Sequence, residues 1–235
     1  MSSVARRRVA AITAMAALTA VAAGALSGCS LFERDFDPAA ADVVAARQEA
    51  RARIEKLLTE FPTTQGREPL ARVDACHRGQ SNWKVTEEFA WECRLGETGV
   101  LDGARSVDGV GAALEEVADR LADLGCAPRP GGLGLDRVVS EYWEPLRSRA
   151  DYGPGSLPSA TYACPDGLVV DIVSTTPDDP DLVAKVNDVF AGTFLGERVI
   201  EEIAFSGPGA GLAAEPSLAQ LILVRVSESY YRVEH

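Results

Sequence analysis

Apolar positions recur at helical spacing in two parts of the chain. Val43, Ala46, Ala50, Ile54, Leu57 and Phe61 form one stripe, separated by three or four residues as an amphipathic helix requires. They predict an N-terminal helix at about 39–60, with Arg47, Glu49, Arg51, Arg53, Glu55 and Lys56 covering most of its other surface. Asp37 is placed to cap this helix, Pro38 suits its first turn and Pro62 ends it. The stripe is short, which fits a helix packed on its own domain rather than a coiled coil. The second helix is the clearest, from about Asp108 to Leu124. Val110, Leu114, Val117, Leu121 and Leu124 line one side, and Glu115, Glu116, Asp119, Arg120 and Asp123 the other. Asp108 can cap its start and Gly125 its end.

Elsewhere the period is two. Phe89, Trp91, Cys93 and Leu95 alternate with Ala90, Glu92 and Arg94, the mark of a strand with one buried face. Residues 70–76 and 86–95 read as paired strands joined by the loop Gly79 to Lys84. Residues 137–143 and 159–164 also read as strands. Leu168 to Thr175 is nearly continuous in apolar residues and should be central, paired with 159–164 through the turn Pro165-Asp166-Gly167. Asp179-Pro180-Asp181 opens a helix to about Phe190. Two last strands, about 197–205 and 218–228, complete the series. Strands grouped between helices predict an α+β fold. The expected architecture is an antiparallel sheet of six or seven strands, with helices mainly on one face and the N-terminal helix before it.

The first 29 residues have a different character. Arg6, Arg7 and Arg8 precede an uncharged, Ala-rich run from Val9 to Leu26, and Leu26-Ser27-Gly28-Cys29 closes it. This layout resembles the signal peptide and lipobox of a bacterial lipoprotein precursor. The resemblance implies cleavage between Gly28 and Cys29 and a diacylglyceryl group on the Cys29 thiol. It covers the N-terminus alone and says nothing of the activity. A plain transmembrane helix would not need a cysteine at a small-residue boundary. The expected division is a signal peptide over 1–28, a lipidated tether over 29–37 and a single α+β domain over 38–235. Two acyl chains anchor stably where one does not. The protein is therefore expected at the cell membrane, lipid-anchored, with its domain on the extracytoplasmic face.

Charge narrows the partners. Removing residues 1–28 loses three arginines and no acids, taking the formal net charge from −12 to −15. So acidic a chain repels nucleic acid and anionic lipid headgroups; the lipid is then left to do the anchoring. Lysine occurs only at positions 56, 84 and 185 while Arg, Ala and Gly abound, a bias that points to a GC-rich, actinobacterial genome.

Four cysteines remain beyond Cys29: Cys76, Cys93, Cys126 and Cys164. In an exported chain they are expected as disulfides. Three pairings exist; neighbouring strands favour Cys76–Cys93, and a helix end tied to a later strand favours Cys126–Cys164. Intervals of 17, 33 and 38 residues contain no Cys-x-x-Cys knuckle, which argues against zinc.

Candidate chemistry is sparse. His77 and His235 are the only histidines, too few for a histidine metal cluster. His77 beside Cys76 would point to the opposite face of a strand. Ser81-Asn82-Trp83-Lys84 matches Ser-x-x-Lys, but no Lys-Thr-Gly or Ser-Asp-Asn follows it. Glu87, Glu88 and Glu92 lie near Trp83 and Trp91 and form the best enzyme-like constellation, since glycoside hydrolysis needs two carboxylates in a cleft. Asp178, Asp179 and Asp181 could attract calcium but lack the spacing of a calcium loop, and helix capping explains them as well. Trp83 at a loop tip is a candidate recognition anchor. No catalytic residue, metal or cofactor is assigned. The reading is a non-catalytic binding or assembly module of the cell envelope, holding an envelope protein or wall polymer. The alternatives are an envelope glycan hydrolase using carboxylates near Glu87–Glu92, or a small substrate-capturing lipoprotein of a transporter.

Overall fold

The computed structural model describes residues 36–61, 69–80, 84, 86–101, 109–147, 157–190, 198–207 and 220–235. Seven strands form one antiparallel sheet: β1 (Ala71–Arg78), β2 (Phe89–Leu101), β3 (Ala127–Pro128), β4 (Ser159–Ala163), β5 (Val169–Thr175), β6 (Arg198–Ile203) and β7 (Leu221–Glu234). Their spatial order is β3-β4-β5-β7-β2-β1-β6. The two longest strands, β2 and β7, pair at the centre over most of their length. Both run further than their apolar stretches suggest, because Glu92, Glu97, Arg225 and Glu228 continue them as buried charged residues. The expected α+β class with an antiparallel sheet holds.

Helix α1 (Ala41–Thr59) lies against β7 and β2 and buries Val43, Ala50, Ile54 and Leu57, four members of the apolar stripe. It starts after Ala40, which makes no side-chain capping bond, so the helix begins later than a cap at Asp37 would place it. The Arg47 guanidinium donates to the Pro38 carbonyl at 3.0 Å. Helix α2 (Val110–Asp123) buries Val110, Leu114, Val117 and Leu121 as its periodicity predicts. Its end is a Schellman motif. Gly125 takes φ +76°, its N–H reaches the Ala122 carbonyl and the Cys126 N–H reaches the Leu121 carbonyl, both at 2.9 Å.

One predicted strand is wrong. Residues 137–143 are helical: α3 (Leu135–Val138) runs through a π turn (Val139–Trp143) into α4 (Glu144–Leu146). The β-branched pair Val138-Val139 and the aromatic pair Tyr142-Trp143 suit a strand. The burial, however, follows a period of four, with Leu135, Val139 and Trp143 inside. An Arg137–Glu141 pair one turn apart adds to the helical register. The Tyr162 hydroxyl on β4 accepts the Leu135 N–H at 2.7 Å and fixes the start of this segment on the sheet.

The helices α1 and α3 share one face of the sheet. The opposite face carries a second, smaller core. There Ala71, Val100, Leu221 and Leu223 pack with Leu182 and Val186 of α5 (Leu182–Asn187) and with Val189, Phe190 and Phe205. The helix α5 is shorter than expected, ending at Asn187, whose side chain instead bonds the Phe205 N–H and carbonyl. Among the described residues no helix is long and apolar enough to cross a membrane.

Candidate functional site

Charged side chains inside the fold collect in three places: between α1 and the sheet, at one end of the sheet and, beside α5, around Arg225, which lies 3.1 Å from Asp171 and 3.3 Å from Asp188. Alternation along β1, β2 and β7 puts Asp74, Glu97 and Glu228 on the buried face, in phase with Leu95 and Val226. A buried carboxylate needs a cation, and α1 supplies arginines. Arg47 Nε lies 2.6 Å from Asp74, Arg53 pairs with Glu228 and Arg51 with Glu201. Arg72 of β1 joins Glu97 at 2.7 Å and Glu201 at 3.2 Å. The Tyr230 hydroxyl donates to Asp74 at 2.8 Å. Burial pushes the carboxyls of Asp74 and Glu97 above the usual range, against the pull of Tyr230 and Arg47 on the first and Arg72 on the second. Arg47, Arg51 and Arg53 are thus not a solvated outer face, as the helical pattern had them. They join α1 to the sheet.

The second place is the end of the sheet where the β1–β2 hairpin closes. Gly79 is required there, because a Cβ on it would sit 1.8 Å from the Phe89 carbonyl oxygen. Trp91 and Glu92 are adjacent on β2 and project to opposite faces. Each holds two arginines. The Trp91 ring lies beneath Arg78 and Arg198, whose guanidinium carbons are 5.4 and 4.8 Å from its centroid. The Glu92 carboxylate, fully buried, accepts from Arg232 at 2.6 Å, Ser229 at 2.7 Å and Arg94 at 3.0 Å. His77 Nε2 is 3.9 Å from it. Burial would raise the Glu92 carboxyl, but the bonds from Arg232, Ser229 and Arg94 outweigh it and hold it below the ordinary range. Glu92 is therefore ionised and has no proton to give as a general acid.

The other expected candidates fall as follows. Glu87 turns back to accept the Gln80 N–H and so closes the hairpin, while Glu88 is exposed. Trp91 is buried under its arginines and offers no open ring for a sugar. Gly28, Cys29 and Trp83 lie outside the described residues, as do Ser81 and Asn82 of the Ser-x-x-Lys match; Lys84 is exposed. Cys76 is bonded to Cys93, directly opposite on β1 and β2, and Cys126 to Cys164, linking the end of α2 to the end of β4. Cys76 is therefore no thiolate partner for His77. Asp179 accepts from Lys185 and Thr175, both at 2.7 Å, and from the Asp181 N–H. The Lys185 ammonium, with Thr175, holds its carboxyl down at about 2. It ties β5 to α5, and no group of His, Cys, Asp and Glu among the described residues is arranged to hold a metal.

The paired arginines were missed in the sequence because Arg78, Arg198 and Arg232 are far apart in the chain. The readable signal was Glu92 inside an alternating strand. A scan of protein families finds no match to this chain, and searches of curated proteins and of solved structures return no significant match either.

Proposed function

We propose that this chain is an extracytoplasmic lipoprotein, anchored through Cys29, whose α+β domain is a non-catalytic binding or assembly module of the cell envelope. The observation that carries the reading is Leu26-Ser27-Gly28-Cys29 behind Arg6–Arg8 and an uncharged run, ahead of a domain with two disulfides. Disulfides persist in oxidising compartments, so the redox state and the export signal agree. The non-catalytic part rests on the chemistry of the side chains. The best acid candidate, Glu92, is ionised and enclosed by arginines, and the four domain cysteines are bridged. An envelope protein or wall polymer is the partner class. The test is Cys29→Ser in the native host, with fractionation and crosslinking capture. The expected result is loss of membrane retention in the variant and reproducible recovery of one envelope component with the wild type. Membrane retention of Cys29→Ser would refute the anchor. Turnover of a wall glycan by the purified protein would refute the non-catalytic reading.

A further inference from the structure

We draw no further inference here: the strongest candidate, the surface patch along edge strand β6 with its exposed Val199 and Ile203, carries nothing because nothing in the structure shows what covers it.

Discussion

Replacing Arg47 by Met keeps most of the aliphatic stem of the side chain and deletes the charge that faces Asp74. The wild-type pair is well enclosed, with side-chain exposures of 15% for Arg47 and 0% for Asp74. Removing one partner of a buried ion pair costs about 3–5 kcal/mol, because the other charge is left without compensation. The Tyr230 hydroxyl still bonds Asp74, which places the expected loss near the lower end, at about 3 kcal/mol. In a domain of this size the melting temperature should fall by roughly 6–12 °C. The pH dependence is part of the prediction. Burial already raises the Asp74 carboxyl, and the variant raises it further. A carboxyl raised in the folded state costs stability at neutral pH, and the cost is relieved as pH falls through its folded pKa towards the unfolded value of about 4. The deficit of Arg47→Met should therefore shrink between neutral pH and about pH 5. Arg47→Met/Asp74→Leu should recover most of the loss, since an apolar pair can replace a buried ionic one. Urea unfolding of the four proteins of this cycle at the two pH values is the assay. A single-variant loss below about 1 kcal/mol, unchanged with pH, would refute the claim that Arg47 compensates Asp74.

Four further outcomes follow from the geometry. The four domain cysteines should yield no free thiol after denaturation without reductant. Loss of Cys126–Cys164, by Cys126→Ser/Cys164→Ser, should cost about 4 kcal/mol in the chain-entropy model, seen as a lower urea midpoint. Gly79→Ala should destabilise by at least about 2 kcal/mol, because its Cβ meets backbone at 1.8 Å; a melt like that of the wild type would mean the hairpin closes differently. Asp179 is depressed to about 2, so it contributes stability above the unfolded carboxyl value, lost as pH falls from about 4 to about 2. Asp179→Asn should flatten the acid limb of the stability curve over that window, and an unchanged limb would show that Lys185 does not hold it.

Elements with a local signal could be read from the residues alone. The stripe of α2 and the Gly125 stop were legible because a helix repeats every few residues and its Schellman end needs a positive φ. The Phe89–Leu95 alternation marked β2, and the Pro165-Asp166-Gly167 turn marked the β4–β5 hairpin, where Asp166 and Gly167 take φ +61° and +82°. Adjacent strands and a helix end also favoured the two disulfide pairings. Leu135 to Trp143 misled because β-branched and aromatic propensity is a weak prior that packing overrides. The charged positions were beyond local reading altogether. Nothing in the neighbourhood of Arg47 says that Asp74 lies beneath it, or near Arg232 that Glu92 will be its partner. Those pairs join residues 27 and 140 positions apart, and only the antiparallel register of β1, β2 and β7 under α1 brings them together. A lone charge is a surface residue in a sequence. Once the sheet decides which face it occupies, burial makes a counter-ion compulsory, and the arginines turn inward to supply it.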